Sequence, residues 1–332
     1  MRFSEIVGHR AQLDSLKRAL RGNRLHHAYL FLGPDGVGKR AVAYCLAAAL
    51  HCPNGEDESC GRCGGCLCIR DGNHPDVHFI ALEAGKKEIS IRQIRELQKT
   101  LGYRPFTGKK KVAIIDQAHA LNFHVQNSLL KTLEEPPGDS LLILIANSTG
   151  AILPTVLSRC LRLYFSHLPV AQVAGRLVQD RGMAPERARL LVALTKGSFG
   201  AALDGAAGEL LDRRREWIES FTALSRDNLP AVLELAGLIS GDKEKALGFL
   251  DWLEGWYRDI LVHQATGSMG QIDNSDRVET IRAVAAQVEV ENTLSVLCRI
   301  GQAQRELQRT YNRRLVLENF LIKIVTGDLP GP

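Results

Sequence analysis

Apolar positions follow two different patterns along the chain, and the change comes near residue 166. Before it, four short runs are apolar at almost every position: HAYLFLG, KKVAIID, SLLILIAN and LRLYF. Runs that are apolar on both faces are typical of strands in a parallel sheet that helices cover on both sides. The first part of the chain is therefore predicted to be an α/β domain.

The segments between these runs carry helical signals. KRAVAYCLAAALHC has the composition of a buried helix. EISIRQIRELQKTL repeats apolar residues on one helical face; they are Ile91, Ile94, Leu97 and Leu101. NFHVQNSLLKTLEEPP is predicted to run from an Asn122 cap to two prolines, and ILPTVLSRC to be a short helix with Pro154 near its start.

Beyond residue 166 the strand signals disappear. Short helical segments broken by Gly and Pro come first, namely LPVAQVAGRLVQDRG, APERARLLVALTKGS and FGAALDGAAGELL, and longer amphipathic helices follow. The predicted organisation is an α/β P-loop domain over residues 1–166, a small helical lid domain over 167–207 and an all-α domain over 208–332. The three tryptophans lie in the last of these and are expected to pack there; they are Trp217, Trp252 and Trp256.

The composition indicates a globular protein but does not by itself identify a function. The 332 residues suffice for two or three domains, and 45% apolar and 24% charged residues are ordinary for a soluble globular protein. No apolar stretch approaches the ~20 residues of a membrane span, and the first residues lack a signal-peptide pattern, so a cytoplasmic protein is expected. The net charge of +5 permits contact with nucleic acid without requiring it.

The segment GPDGVGKR, residues 33–40, matches a phosphate-binding loop in all but its last position. In the pattern G-x-x-x-x-G-K-[ST] the glycines fold the backbone around phosphates, the lysine meets their charge and the hydroxyl holds Mg²⁺. The candidate residues are Gly33, Gly36, Gly38 and Lys39. Arg40 stands where the hydroxyl belongs, and a guanidinium has only donors. The alternative interpretation is a loop kept for structure, with ATP binding weak or absent.

Asp116 ends the run VAIID, where an acidic residue helps to hold Mg²⁺ in P-loop enzymes. Working ATPases of this type follow it with a glutamate that polarises the attacking water. Here the next residue is Gln117, a neutral amide that cannot act as a base near neutral pH. Since the metal ligand and the base are both missing, the hydrolytic function is predicted to be lost.

Five of the eight cysteines fall within the segment CPNGEDESCGRCGGCLC. In a chain without a secretory signal, such a cluster favours metal binding over disulfides. Four thiolates complete a tetrahedral structural Zn²⁺ site and leave no position open for a substrate. The predicted ligands, in an insert at about 51–68, are Cys52, Cys60, Cys63 and Cys66. Cys68, His51 and His74 are the alternative ligands, and free thiols in a flexible loop are the alternative interpretation.

Arg159 lies in the phrase LSRC, between a predicted helix and a predicted strand. Taken alone, this arginine is a plain surface charge, and the lysines of GKKKVAIID are expected to lie in a solvated loop. Neither feature indicates a function by itself.

Five phrases in the first half of the chain resemble the bacterial clamp-loader subunits of the AAA+ class. They are HAYLFLGPDGVGKR, CGRCGGC, HPDV, NSLLKTLEEPP and ILPTVLSRC, and they occur in the order of that family. LLKTLEEPP together with the four-cysteine insert is highly specific. Two kinds of subunit share these phrases, the ATP-hydrolysing gamma/tau subunit and the delta-prime subunit.

Three positions separate the two kinds. Gamma-like chains are expected to carry Thr or Ser at position 40, Glu at position 117 and an arginine in a G-S-x-R motif of the small helical domain. Here Arg40, Gln117 and Gly200 occupy those positions, and the length is that of delta-prime, without the long tail of tau. The sequence is therefore identified as a member of the delta-prime family of the DNA polymerase III clamp loader. A gamma/tau-like ATPase is the alternative.

The resemblance implies a rigid subunit without its own ATPase activity, in a hetero-pentameric ring with gamma/tau and delta subunits. It implies that Arg159 reaches across to the ATP of a neighbouring subunit and that the last helical domain is the collar of the ring. Asn147 falls at the family's sensor position, which is usually Thr. The complex would load the sliding clamp onto primed DNA, and nucleotidyltransferase activity would belong to the polymerase III holoenzyme rather than to this chain.

Two further hypotheses compete with this interpretation. An ATPase with a different base and metal ligand would hydrolyse ATP alone, and Lys39→Ala would abolish that activity. A zinc module that binds nucleic acid would show steeply salt-dependent DNA binding by the lone chain, which fits poorly with a net charge of only +5.

Overall fold

The fold was determined from a computed structural model, which describes residues 2–83, 85–107, 109–195, 197–203, 207–224, 227–269, 272–309 and 312–326. The chain forms two compact units. The first comprises Met1–Val173 with Gly197–Gly200, and the second comprises Ala174–Lys196 with Ala201–Pro332. Parts of the segment 167–207 therefore belong to each of the two units, and the separate small helical domain stays a prediction.

The first unit is built on a five-stranded parallel sheet. Its strands are β1 (Ala28–Leu32), β2 (Val77–Ile80), β3 (Lys111–Ile115), β4 (Ser140–Ala146) and β5 (Leu161–Tyr164), in the order β2-β3-β4-β1-β5. Leu30 of β1 is in register with Leu144 of β4 and Arg162 of β5. The predicted α/β class and all four predicted strands are confirmed. β2 was not predicted, because this edge strand is only half-buried and its sequence, VHFI, lacks a long apolar run.

Helices cover both faces of this sheet. The helices with residues in the cores beside the sheet are α1 (Arg10–Arg21), α2 (Lys39–His51), α4 (Ile91–Leu101), α5 (Phe123–Glu134) and α6 (Pro154–Leu157). The other helices of this part of the chain are α3 (Gly64–Arg70) and α7 (Val170–Arg181), and α7 continues into the second unit. Asn122 caps α5 as predicted, since its side chain accepts from the backbone N–H of Val125. α1 and α3 were not predicted.

Alternate residues of the strands pack into two separate cores. Leu30 and Leu144 face the core that includes α4 and α5, whereas Phe31 and Ile143 face the core that includes α1 and α2. The three central strands, β3, β4 and β1, are therefore buried on both sides, as continuous apolar runs require. Because all strands are parallel, the residues that follow β1, β3 and β4 meet at one edge, where ligands bind in open α/β sheets.

The second unit is entirely helical in the part that the structure describes. It holds α8 (Pro185–Leu194), α10 (Ala207–Thr222), α11 (Leu229–Ile239), α12 (Lys243–Thr266), α13 (Val278–Gln287), α14 (Val290–Arg309) and α15 (Arg313–Thr326), and α9 (Phe199–Leu203) enters it from the first unit. Trp217, Trp252 and Trp256 lie in its core, as predicted. The predicted helix FGAALDGAAGELL includes residues 204–206, which lie outside the described residues.

A buried polar network holds the second unit together beside its apolar core. Arg214 makes a two-pronged contact with Asp276 at 2.8 and 2.9 Å, and Asn274 donates to the fully buried Asp259 at 2.7 Å. Among the described residues, no helix has the length and apolar character needed to cross a membrane.

Candidate functional site

The loop between β1 and α2 has three positions with positive φ, and each of them is a glycine. Gly33, Gly36 and Gly38 have φ values of 147°, 72° and 104°, a region that residues with a Cβ rarely adopt. At Gly36 an added Cβ would lie 1.8 Å from Oγ of Ser198, so this position also has no room for a side chain. The segment 197–200 therefore lies directly on the loop, and Gly200 donates its N–H to the carbonyl of Gly36 at 3.3 Å.

Lys39 is turned back onto its own loop. Its ammonium donates to the carbonyl oxygens of Gly33 and Pro34, and it lies 4.0 Å from a carboxylate oxygen of Asp35. Burial lowers the pKa of Lys39, although the carboxylates of Asp35 and Asp116 oppose that shift. The lysine thus has acceptors from its own chain at the place where phosphate oxygens would lie in a working P-loop.

Asp35 links this loop to the end of β4. Asn147, at the predicted sensor position, donates its side-chain N–H to Asp35 at 2.7 Å. An acidic residue inside a phosphate loop repels an anionic ligand, and here an amide fixes its position. No local pattern predicts this pairing, because the two residues are 112 positions apart.

Arg40 points to Asp116, the residue that would help to hold Mg²⁺. A guanidinium nitrogen lies 3.9 Å from a carboxylate oxygen of Asp116. The guanidinium carbon lies 4.3 Å from the ring centre of Phe79 and 5.7 Å from that of Tyr44, distances at which a cation is attracted to an aromatic ring. The guanidinium of Arg40 therefore places a cation of the protein itself beside Asp116.

Gln117 adds no base to this arrangement. Its backbone N–H donates to the carboxylate of Asp116 at 2.9 Å, and its backbone lies in the left-handed region at φ 52°. Around the loop the structure brings together the predicted residues Gly33, Gly36, Gly38, Lys39 and Asp116. It also brings in four that sequence reasoning missed: Asp35, Tyr44, Phe79 and Ser198.

Arg159 lies away from this loop, just after α6. One guanidinium nitrogen donates to the backbone carbonyl of Thr155 at 2.8 Å and to the hydroxyl of Ser158 at 3.2 Å. The other terminal nitrogen lies 2.5 Å from a carboxylate oxygen of Glu134. The side chain is a third exposed, so the guanidinium is held by its own chain yet remains open to solvent.

The four predicted cysteine ligands come together in the insert after α2. The sulfur atoms of Cys52, Cys60, Cys63 and Cys66 lie within 4.8 Å of one another. Tetrahedral Zn–S bonds of ~2.3 Å place sulfur atoms ~3.8 Å apart, so a small shift closes this cluster around an ion. Cys68 is exposed and lies outside the cluster.

Backbone donors and burial act on these thiols in opposite directions. N–H groups of Arg62 and Cys63 lower the pKa of Cys60 to about 6, whereas burial raises the pKa of Cys66 to about 12. One sulfur is thus ready to ionise while another resists a negative charge. A bound cation would balance the charge of four thiolates, so the cluster can hold a metal ion.

The two alternative histidine ligands belong to a different cluster. His51 and His74 lie with Asp76 in a second group of possible ligand atoms, and all three are buried. Burial alone would raise the pKa of Asp76, but the N–H groups of Phe106 and Thr107 and the Thr107 hydroxyl hold it below its usual value. The carboxylate thus fastens the loop before β3 to the HPDV segment.

Replacing Asp76 by asparagine is expected to destabilise the first unit. The carboxylate of Asp76 now accepts three hydrogen bonds of 2.7–2.8 Å from Phe106 and Thr107. An asparagine has only one acceptor oxygen, and its NH₂ group would face donors with which it cannot form a hydrogen bond. Each charge-assisted hydrogen bond contributes ~1.5–3 kcal/mol, so we expect a loss of about 3 kcal/mol in the free energy of unfolding. Urea denaturation measures it, and Asp71→Asn, at an exposed ion pair, is the control. An unchanged midpoint would contradict this role.

Two family models match most of the chain. The model described as DNA polymerase III, delta subunit matches residues 8–169, and the model described as DNA polymerase III, delta subunit, C terminal matches residues 208–326. The first match includes all the predicted phosphate-loop and metal-binding residues and Arg159. The second match covers most of the second compact unit.

Curated relatives align over nearly the whole chain. The DNA polymerase III subunit delta' of Pseudomonas aeruginosa is 32% identical, and the alignment covers 96% of this chain and 97% of that protein. The delta' subunit of Bacillus subtilis is 30% identical, with 94% of each chain covered. The tau/gamma subunit of Haemophilus influenzae is 31% identical over 97% of this chain, but the chain spans only 49% of that protein.

Proposed function

The chain belongs to the delta-prime family of DNA polymerase III subunits, and from that premise we propose that it is a clamp-loader subunit that does not hydrolyse ATP. It would act in a ring with gamma/tau and delta subunits that places the sliding clamp on primed DNA. The domain over 208–332 would be its collar in that ring, and 167–207 its small lid domain. Nucleotidyl transfer would remain an activity of the polymerase III holoenzyme.

One observation carries the non-hydrolysing part of the proposal. The guanidinium of Arg40 lies 3.9 Å from Asp116 and stacks on Phe79, where a P-loop ATPase needs a hydroxyl and a metal ion. A cation fixed at that place repels a divalent ion. Gln117 removes the base as well, since an amide does not take a proton near neutral pH. The loop keeps its shape while the groups that drive hydrolysis are absent, and nucleotide binding is weak or absent.

Arg159 would supply chemistry to a neighbouring subunit instead. A planar guanidinium can bind two oxygens of a phosphoryl group at once and stabilise charge that develops there during transfer. Arg159 follows a short helix at the domain surface and is a third exposed, so it can reach a group outside its own chain. ATP held by the neighbour would be hydrolysed with this arginine as a finger in trans.

The cysteine cluster would hold zinc as a structural ion. Cys52, Cys60, Cys63 and Cys66 supply the four thiolates that this ion prefers, and a complete set of four leaves no open position for a reaction. The ion would contribute stability to the insert between α2 and β2 and take no part in catalysis.

The purified chain is expected to show no ATP hydrolysis above background. The variant Arg40→Thr with Gln117→Glu restores the metal hydroxyl and the base, yet we expect little gain, because Gly200 leaves the small-domain contact to phosphate absent and a neighbour's arginine is also lacking. Phosphate release from each protein, alone with Mg-ATP, measures the rate.

Lys39→Ala is the control for this measurement. A rate that survives this substitution comes from a contaminant, since the lysine is essential in any working P-loop. Robust turnover by the unmodified chain that disappears in Lys39→Ala would overturn the proposal and favour a gamma/tau-like ATPase.

A further inference from the structure

Glu134 is placed where a helix does not favour an acidic residue. It is the last residue of α5, and the chain cannot continue the helix through Pro136 and Pro137. The C-terminal end of a helix carries a partial negative charge, so a carboxylate there is repelled. The helix itself therefore gives no reason for a glutamate at this position, and the reason must come from its partner.

That partner is Arg159, whose side chain turns back along α6, the short helix that precedes it. Its guanidinium reaches the carbonyl of Thr155, four residues earlier, and the hydroxyl of Ser158. Of its described acceptors only Glu134 is charged, and only Glu134 comes from another helix. The charge of Glu134 thus compensates that of Arg159 in the isolated chain.

We propose that Glu134 is a latch that holds Arg159 in a retracted position until a phosphate displaces it. This inference rests on the proposed role of Arg159 as a finger. The guanidinium would exchange the carboxylate of Glu134 for phosphate oxygens of the neighbour's ATP, which keeps its charge balanced in both positions. Because Glu134 and the phosphate would compete for the same edge of the guanidinium, the latch implies two positions of this arginine.

The exposure of the pair makes this latch releasable. The side chains of Arg159 and Glu134 are 33% and 49% exposed, and ion pairs of that kind contribute little net stability. A buried ion pair would hold Arg159 against Glu134 permanently. A partly solvated pair changes the equilibrium between the retracted and the phosphate-bound positions of Arg159 by only a small factor.

The test is the ATPase rate of a clamp-loader complex rebuilt from the subunits of one organism with Glu134→Gln in this chain. Without clamp and DNA we expect turnover at the one ATP site that Arg159 serves to rise ~2- to 5-fold, because an amide holds the guanidinium less firmly. The total ATPase rate should rise by a smaller factor, since the other sites do not depend on Arg159. With clamp and primed DNA we expect the rate to equal that of the unmodified complex, since the latch is then already open. Glu135→Gln, the adjacent exposed glutamate, is the matched control and is expected to change neither rate.

A double variant separates a latch from a merely structural role. Glu134→Gln is expected to have no effect when Arg159 is already alanine, because the latch acts only through that side chain. If Arg159→Ala lowers the rate but Glu134→Gln leaves it unchanged, or lowers it too, the latch is wrong and the finger stands. If Arg159→Ala has no effect on the complex, the finger and the latch both fail.

Discussion

Replacing Arg159 by alanine is expected to remove most clamp loading by the rebuilt complex while its total ATPase activity falls only in part. A finger in trans contributes on the order of 10³–10⁵ to the rate of phosphoryl transfer at the site that it serves. Only one of the ring's several ATP sites would depend on this residue, so the other sites continue to turn over. Loading requires the sites to act together and therefore loses more.

Arg159→Lys is expected to fail nearly as badly as the alanine variant. Lysine keeps the positive charge but presents a point charge in place of a planar fork, and it cannot bind two phosphate oxygens side by side. The comparison between the two variants therefore tests geometry and not merely charge. Clamp loading onto primed DNA, measured with complexes rebuilt from each variant, gives the result.

Arg162→Ala is the control for both variants. Arg162 lies in β5, three residues after Arg159, and is exposed, so its loss removes a surface charge from the same region. Folding, metal content and complex assembly are expected to stay intact in all three proteins, because an exposed arginine adds little to stability. If the Arg159→Ala complex loads clamps at the full rate, Arg159 is only a surface charge and does not act as a finger.

The fold of the first unit could be predicted where its strands are continuous apolar runs, and these include β5, whose residues are mostly exposed. β1, β3 and β4 are buried at every position, and such strands read as continuous apolar runs. β2 lies at the edge of the sheet and is half-buried throughout, so its sequence follows no clear pattern. Missing β2 also hid the contact between Arg40 and Phe79, since Phe79 is a residue of that strand.

The site could be predicted where its residues are close in sequence. The glycines and Lys39 fall within seven positions, and the cysteines within fifteen, so spacing alone indicated both groups. The contacts of Arg159 with Glu134 and of Asn147 with Asp35 span 25 and 112 positions. No local pattern marks such pairs, because they depend on how α5 and α6 pack and on which strands are neighbours in the sheet.

The helical part of the chain after residue 166 is its least predictable part. Helical periodicity indicates that a helix has an apolar face but does not say which partner covers it. The segment 167–207 was predicted as one domain, and the structure shares it out between its two compact units.

Replacing Cys63 by serine is expected to release the metal from the purified protein and to loosen its insert. A structural zinc bound by cysteines contributes ~10–16 kcal/mol of apparent binding free energy at neutral pH. The other contacts of this segment are weaker: Glu58 pairs with Lys17 at 3.1 Å, Asp57 pairs with Arg21 at 2.6 Å, and Lys109 donates to the carbonyl of Cys52 at 3.3 Å. Partly exposed ion pairs contribute only ~0–1 kcal/mol each.

The loss is expected to stay local, because the sheet and its two cores do not depend on the insert. The unmodified protein should contain about one zinc per chain, and Cys63→Ser close to none. Elemental analysis of protein purified under reducing conditions and without chelators measures the zinc content. Hydrogen exchange should become fast between Cys52 and Cys66 and stay slow in β3 and β4, whose residues are buried throughout.

Cys68→Ser is the matched control for this substitution. Cys68 is exposed, lies in the same short helix as Cys66 and stands outside the cluster of four sulfur atoms, so its loss should leave zinc content and exchange unchanged. Loss of zinc in Cys68→Ser but not in Cys63→Ser would mean that Cys68 is the true ligand and that the insert folds differently around the ion. An absence of zinc from the unmodified protein would leave five free thiols and no structural ion.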